Sequence, residues 1–230
     1  MSRNMSPNRD IRTLGYVLKR TNYAEADRIL NIITPVGKIT AIAKGVRKEK
    51  SRLAGGIEMF SLTDFNIHQG RSEFGVVTGA KMVKHFGEIV KDLARMEVAA
   101  MMLKKVSMAA ESSDSEEFFK IVDVGLAGLN NGVNIELAEA WFLLNLAKAM
   151  GEEINLYRDV EGNKLQRENR YIWDKMETAF LKNERGDYGA DEIIMLRLMV
   201  TNGLDVVKRV KGDRELYSKV LSVARVVGKM

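Results

Sequence analysis

The sequence predicts an α+β protein with more than one domain: an amino-terminal β-barrel, then an all-helical domain that carries a small hairpin-like insert. Up to about residue 84, apolar residues alternate with polar ones in short segments rich in β-branched side chains, a pattern typical of strands. From about residue 87 they recur every three or four positions, as in amphipathic helices. We therefore predict a flexible tail over 1–11, a barrel over 12–84 and a helical domain over 85–230.

Composition restricts the class of protein. The chain has 230 residues, of which 46% are hydrophobic and 29% charged, as in folded globular proteins. It has no cysteine, which excludes disulfides, thiolate metal sites and cysteine nucleophiles. The first ten residues, MSRNMSPNRD, lack the apolar segment of a signal peptide, and no apolar run approaches the roughly 20 residues that span a bilayer. We expect a cytoplasmic protein with no membrane partner.

Five short segments of the first third are predicted strands. A Pro/Gly turn, TPVGK, joins the second to the third as a hairpin. The fourth does not keep a strict period of two, which predicts a β-bulge near Thr63 or Asp64. Five strands with glycines where a sheet must bend are typical of a small closed barrel of the OB type. The predicted strands are residues 12–20, 27–34, 38–44, 60–68 and 75–83.

The rest of the sequence, after the predicted barrel, predicts five helices and one irregular segment. The first helix is EIVKDLARMEVAAMMLKKVSMAAE, and the second follows an N-cap at Ser113 or Ser115. The third is capped by Asn134 and ends at Gly151, and ADEIIMLRLMV and GDRELYSKVLSVARVV are the fourth and fifth. Between the third and fourth, residues 154–189 are polar and rich in turns, with strand-like pieces KLQ and RYIWD. We predict that this insert forms a small hairpin lobe.

The net positive charge is confined to the first third of the chain. Residues 1–80 hold 13 Lys/Arg and 7 Asp/Glu, whereas residues 81–230 hold 23 and 24. Within that third, the nine residues KGVRKEKSR (44–52) place five cations and one acid directly after the third strand. Such asymmetry favours a polyanion partner, although a short charge run between strands is also typical of a solvated loop.

If the segment binds nucleic acid, cations would contact phosphates and an exposed aromatic ring would stack on a base. Tyr23 lies in a turn and is the candidate for stacking, whereas Tyr16, Phe60, Phe65 and Phe74 lie on apolar strand faces and are predicted core residues. The candidate phosphate contacts are Lys44, Arg47, Lys48, Lys50 and Arg52 in the loop, Lys38 and Arg71 at hairpin tips, and Lys19 and Arg20 at a strand end.

Sequence motifs of catalysis are missing. The chain has no GxxxxGK[ST] phosphate loop, no HExxH and no GxSxG. Its only histidines, His68 and His85, lie 17 positions apart in the charged first third and its border, without a metal-ligand spacing. We therefore predict a binding protein rather than an enzyme, with no catalytic residue.

Residues 16–83 resemble the amino-terminal domain of the RecO family. That family's barrel carries an acid-containing turn, a strand ending in Thr, a Gly-Arg/Lys hairpin, a basic loop of the form KG.R..KS and a late strand leading to AE. Ala24 and Lys81 stand where the family often has Ser and an acid. The corresponding residues here are Ala24-Glu25, Thr34, Gly37-Lys38, Lys44-Gly45 with Arg47, Lys50-Ser51, and Gly79-Ala80-Lys81.

The resemblance implies a non-enzymatic protein of DNA repair and recombination. It would bind single- and double-stranded DNA, anneal complementary strands and, with RecR, assist the loading of RecA onto strands covered by single-strand-binding protein. It would act in the cytoplasm, associated with the nucleoid. The alternative from the residues alone is an OB-fold RNA-binding or adaptor module without annealing activity.

One departure from the family concerns metal. Many RecO proteins hold a four-cysteine zinc module within the helical domain, and the insert at 154–189 occupies that place here. Because the chain lacks cysteine and both histidines lie outside the insert, we expect no zinc there and no other cofactor.

Overall fold

The computed structural model describes residues 9–70, 72–110 and 116–228, which divide into two units, one up to residue 126 and one from residue 127. The first unit contains all five predicted strands. They close into a barrel in the order β1-β2-β3-β5-β4, with antiparallel neighbours except for the parallel pair β3 and β5. The strands are β1 (Arg9–Tyr23), β2 (Asp27–Thr34), β3 (Gly37–Ala43), β4 (Ser61–Gln69) and β5 (Gly75–His85).

The barrel differs from the predicted strands at the start of β1, and from a plain alternating sheet where its register shifts. β1 begins at Arg9, before the predicted start at residue 12, because residues 9–11 pair with residues 67–69 of β4. The register between β4 and β5 shifts at the predicted position, but the bulge is in β5 rather than β4: Leu62 pairs with Lys84 and Thr63 with Met82, so that Val83 has no partner in β4. The β4 and β5 register shifts again between Asn66 and Ile67. A further bulge lies in β1, where Val17 pairs with Ile32 and Lys19 with Asn31, so that Leu18 has no partner in β2.

The barrel interior is filled by side chains of alternate strand positions. Leu30, Ile32, Ala41 and Phe65 are fully buried, and they belong to one apolar cluster that includes Ile57 of the short 3₁₀ helix Ala54–Ile57. That helix closes tightly on β5: a Cβ atom at Gly56 would lie 2.3 Å from the Ala80 carbonyl oxygen. A side chain at position 56 would therefore push the 3₁₀ helix off the barrel.

Helix α1 (Leu93–Ala109) starts later than predicted. The sequence pattern placed Glu88–Asp92 in the helix, but residues 88–91 form turns instead. The Asp92 carboxylate accepts a hydrogen bond from the Arg95 backbone N–H, which makes Asp92 the N-cap. Ile89 is nevertheless fully buried, so its apolar spacing reflects packing of a turn rather than a helical face.

Helix α2 (Glu116–Asn130) follows, and its predicted caps Ser113 and Ser115 lie outside the described residues. Within the first unit, α2 is joined to the barrel through Tyr16, whose hydroxyl donates to the Asp123 carboxylate. The Tyr16 ring lies 5.5 Å from that of Phe119 and 6.2 Å from that of Phe86, measured between centroids. Burial and the hydrogen bond to Asp123 raise the pKa of Tyr16.

The second unit is built from four further helices: α3 (Ile135–Ala149), α4 (Ala190–Thr201), α5 (Leu204–Val207) and α6 (Arg214–Val227). α3 begins as predicted, with Asn134 accepting from the Leu137 N–H. The sequence pattern predicted two helices after the insert, and the short α5 between them is additional. α3 and α6 are linked by Arg225, which donates to both carboxylate oxygens of Glu139 at 2.7 and 2.9 Å.

The insert contains one hairpin, β6 (Tyr171–Asp174) paired with β7 (Ala179–Lys182). Of the two strand-like pieces, RYIWD is a strand, whereas KLQ contributes only an isolated bridge between Lys164 and Arg158. Phe180 is fully buried, and its ring lies 5.0 Å from that of Trp173 and 5.6 Å from that of Tyr188. An aromatic cluster thus forms the centre of this lobe.

Side-chain oxygens hold the turns of the insert. The Asn155 side chain accepts from two backbone N–H groups, those of residues 157 and 158, and the Asp174 side chain accepts from those of residues 176 and 177. Asp159, which is buried, does the same for residues 161 and 163. The residues of the insert do not fit a thiolate zinc site, because their turns are closed by amide and carboxylate oxygens and the chain has no cysteine.

Residues 9–70, 72–110 and 116–228 contain neither a cluster of metal ligands nor a membrane-spanning helix. No group of three or more His, Cys, Asp or Glu side chains in these ranges is arranged to hold a metal ion. None of their helices is long and apolar enough to cross a bilayer.

Candidate nucleic-acid interface

The basic loop, residues 44–52, connects β3 to the 3₁₀ helix, and its backbone is fixed at two points. The Asp27 carboxylate accepts a hydrogen bond from the Gly45 N–H at 2.7 Å. The carbonyl of Ala26 accepts one from the Arg47 N–H at 2.9 Å. Gly45 adopts a φ of +61°, which glycine reaches without strain, and Val46 is buried in the barrel core. These contacts hold the loop against the turn between β1 and β2.

The charged side chains of the loop remain in solvent. Its five cations are exposed, and none of them forms a hydrogen bond or ion pair with any residue in the described part of the chain. Glu49, also exposed, is equally unpaired within that part, so it does not neutralise a particular neighbour. The loop therefore presents five uncompensated cations on a fixed backbone, which concentrates positive potential at one end of the barrel. The five are Lys44, Arg47, Lys48, Lys50 and Arg52.

Tyr23 lies beside this loop. It is the last residue of β1 and is 49% exposed. The tight turn that follows uses a left-handed residue, Ala24, with a φ of +47°, and then Ala26 bonds to the loop. The structure thus brings the predicted stacking residue and the five predicted phosphate contacts of the basic loop to the same end of the barrel.

Of the two candidates at the strand end, one is paired and the other is not. Arg20 donates to the Glu58 carboxylate at 3.0 Å, and its side chain is only 25% exposed. Lys19 is exposed on the outer face of β1 and has no bonded partner among the described residues. Lys19 is therefore the more accessible cation of the pair.

Lys38 lies away from the basic loop. It stands near the start of β3, whereas the loop follows the end of that strand, and six residues of extended chain span about 20 Å. Its ammonium group lies 3.4 Å from the carbonyl oxygen of Ser107 in α1. Lys38 is therefore separated from the cations of the basic loop, although the sequence grouped it with them. Arg71 lies outside the described residues.

Pairing also distinguishes other cations of the barrel from those of the loop. Arg12 is a well-exposed arginine, but it donates to the Asp64 carboxylate through Nε and Nη2, the latter at 2.6 Å. The hydrogen bond from Arg12 lowers the pKa of Asp64 below its usual value. His68 bonds to the Asp10 carboxylate at 2.7 Å. Arg12 and Asp64 therefore neutralise each other on the barrel wall, and the His68 ring is held by a hydrogen bond.

Two structural features next to the basic loop were not found by reading the sequence. Asp27 is an acid in a basic region, and its role as the loop anchor depends on a contact 18 residues away. The outer faces of β2 and β3 were also overlooked, although the period of two that identifies the strands places Thr40, Ile42 and Lys44 on one face. That periodicity is the signal that would have found them.

Comparisons with known proteins match the segment that forms the barrel to a described family. The model of the family described as Recombination protein O N terminal matches residues 5–86. A protein of Roseiflexus sp. (strain RS-1), named DNA repair protein RecO, is 33% identical over 147 residues, which cover 64% of this chain and 52% of that protein. The protein of the same name from Dehalococcoides mccartyi (strain CBDB1) is 27% identical over 227 residues, covering 94% of this chain and 88% of that protein. One from Alkaliphilus metalliredigens (strain QYMF) is 38% identical over 114 residues, covering 49% and 46%.

Proposed function

Because this chain belongs to the RecO family, we propose that it is a DNA repair protein that binds single-stranded DNA through its basic loop and anneals complementary strands. With RecR it would assist the loading of RecA onto strands covered by single-strand-binding protein. It would act by binding, without turnover of a substrate. The observation that carries the DNA-binding part is the set of five exposed, unpaired cations on an anchored loop.

The barrel topology supports this proposal. The strand order β1-β2-β3-β5-β4 with a parallel β3·β5 pair is what a five-stranded Greek-key barrel of the OB type requires. Barrels of this type bind single strands through a cationic groove that follows the phosphates and through aromatic rings that stack on bases. The loop supplies the cations, and Tyr23 supplies a ring that is half exposed.

The same geometry gives a mechanism for annealing. Two DNA strands repel each other through their phosphates, and cations that neutralise both strands lower this repulsion. Phosphate contacts carry no sequence information, so they leave the base edges free to pair. Because the loop backbone is fixed by Asp27 and Ala26 while its side chains are unpaired, binding does not require the loop to give up existing ion pairs.

The decisive experiment measures annealing of two complementary labelled oligonucleotides with the purified protein alone. We expect annealing to be faster than the spontaneous reaction, without ATP, and to slow as salt rises because the contacts are ionic. Binding of single strands without any acceleration would instead identify an RNA-binding or adaptor module. A requirement for nucleotide would contradict the proposal.

A further inference from the structure

A pocket of about 380 Å³ lies in the first unit between the barrel wall and α1, away from the basic loop. Its lining includes two lysines and no acid, so its electrostatic potential is positive. Both lysines are exposed and have no bonded partner among the described residues. The pocket is lined by Leu18, Lys19, Asn31, Lys104, Ser107 and Met108.

The bulge in β1 forms the barrel side of this pocket. Leu18 has no partner in β2, and both Leu18 and Lys19 line the pocket as a result of the local change in register. Asn31, which pairs with Lys19, accepts a hydrogen bond from the Thr40 hydroxyl through its amide oxygen at 3.3 Å. Its NH₂ group thus remains available as a donor.

Helix α1 forms the other side. Lys104 and Met108 are four residues apart and lie on one helical face with Ser107. Met108 is 63% exposed, although it is apolar and lines a cavity. The Ser107 carbonyl near the end of the helix receives the Lys38 ammonium group, which offsets the negative potential of the last turn. The pocket therefore combines cations with an apolar wall.

A continuous outer face connects the basic loop to the pocket. Across the three strands β1, β2 and β3, Thr21 pairs with Ile29, which pairs with Ile42. In the next row on this face, Lys19 pairs with Asn31, which pairs with Thr40. Ile29 and Ile42 are only partly buried, so they form an apolar step between the two cationic ends. From Lys44 to Thr40 the strand covers about 13 Å.

We propose that single-stranded DNA held by the basic loop continues along this outer face, and that the pocket beside α1 binds a further nucleotide of the same strand. Lys19 and Lys104 contact its phosphate, the Asn31 amide donates to it, and the base lies against Leu18 and Met108. This inference rests on the proposed DNA-binding function and extends it, because it assigns part of the DNA site to a helix rather than to the barrel.

Oligonucleotide length separates the two parts of the site, since OB-type barrels bind about 4–16 nucleotides. A strand of about five nucleotides reaches the loop alone, and one of about fifteen also reaches the pocket. Lys104→Glu should weaken binding of the longer strand by about fivefold or more near 0.1 M salt and lower its salt slope by about 0.7, without changing binding of the shorter strand. Lys19→Ala should act in the same direction.

The control is Lys91→Glu, which makes the same charge change at an exposed lysine that pairs with Glu88, before the start of α1 and roughly 17 Å or more from Lys104 along the helix. This variant should leave both affinities unchanged. Equal weakening of both strands by Lys104→Glu, or no weakening of either, would overturn the inference. The inference would also be overturned if Lys104→Glu weakened the binding of an acidic, apolar peptide and had no effect on DNA binding.

Failure of the inference and failure of the proposed function give different results. If the unsubstituted protein binds neither strand, the proposed function itself is wrong. If both strands bind and charge reversal in the basic loop weakens both, while Lys104→Glu weakens neither, only the pocket assignment is wrong.

Discussion

The basic loop and the insert are both polar segments rich in turns, yet they use their polar side chains in opposite ways. In the loop, the backbone is held by groups from elsewhere, Asp27 and Ala26, and the charged side chains are left unpaired. In the insert, the side chains of Asn155, Asp159 and Asp174 bond to the backbone of their own turns.

Charge distinguishes the two segments further. The nine residues of the loop carry five cations and one acid, whereas residues 154–189 carry seven of each. A segment with equal numbers of cations and acids, whose polar side chains bond to the backbone of its own turns, is suited to folding around an aromatic centre. A segment with an excess of cations, whose backbone is held by residues outside it, is suited to binding a polyanion. The comparison teaches that the bonding of the polar groups, rather than their number, separates a structural lobe from a binding surface.

The largest effect is expected from Phe180→Ala in the insert. Phe180 is fully buried among the rings of Tyr171, Trp173 and Tyr188, so its truncation should lower the free energy of unfolding of this lobe by about 3–5 kcal/mol. Chemical denaturation followed by tryptophan fluorescence would measure this, because Trp173 contacts the substituted ring. Single-strand binding should not change.

Phe180→Leu is the matched control for this change, since it keeps an apolar side chain and should cost less than the alanine variant. An alanine variant as stable as the original protein would show that the aromatic cluster does not hold the lobe. Loss of DNA binding in a folded alanine variant would show that the insert belongs to the binding surface, and the contrast between the two segments would fail.

The next largest effect is expected from reversing three loop cations together, Arg47→Glu, Lys48→Glu and Lys50→Glu. Losing about three phosphate contacts should weaken single-strand binding on the order of a hundredfold near 0.1 M salt and lower the salt slope by about 2. The fold should survive because these side chains have no partners among the described residues. Fluorescence anisotropy at several salt concentrations would measure both quantities.

The control is the same charge change in the insert, Lys164→Glu, Arg167→Glu and Lys175→Glu, at three exposed positions. This variant has the same net charge as the loop variant, so it separates a local contact from a general field effect. Similar affinities for the two variants would contradict the assignment of the loop as the DNA contact.

The smallest effect is expected from Glu49→Lys. Glu49 is exposed and unpaired among the described residues, and it is the one acid of the loop. Replacing it removes a repulsion and adds a cation, so single-strand affinity should rise by about fivefold near 0.1 M salt if the loop lies along the phosphates. The same anisotropy titration would measure it, with Glu49→Gln giving a smaller gain. Unchanged affinity in both would place the phosphates away from position 49.

Local sequence patterns predicted most elements of the fold. The period of two found all five strands, and the N-cap preference found Asn134 at the start of α3. The pattern failed where tertiary contacts decide: Ile89 keeps a helical spacing but is buried in a turn, and residues 9–11 become strand only because β4 is available to pair with them. The aromatic centre of the insert was hidden because its members are scattered over 18 positions.

The candidate site was predictable in its charges but not in its geometry. Composition singled out the nine loop residues, and the structure leaves all five of their cations exposed. Sequence alone did not indicate that Arg20 forms an ion pair with Glu58, or that the Lys38 ammonium group bonds to the Ser107 carbonyl, since each partner is more than 35 residues away. The Asp27 anchor was missed because its contact with Gly45 spans 18 residues and is not part of a local sequence pattern.

The link between Tyr16 and α2 has a consequence for how this protein is divided into parts. The segment matched by the family model ends at residue 86, but the Tyr16 ring packs against that of Phe119 and its hydroxyl donates to Asp123, and both residues lie well beyond that limit. A fragment cut at residue 86 would uncover the Tyr16 ring and leave its hydroxyl without its partner. The smallest portable version of this barrel, for grafting or for expression alone, therefore extends through most of α2.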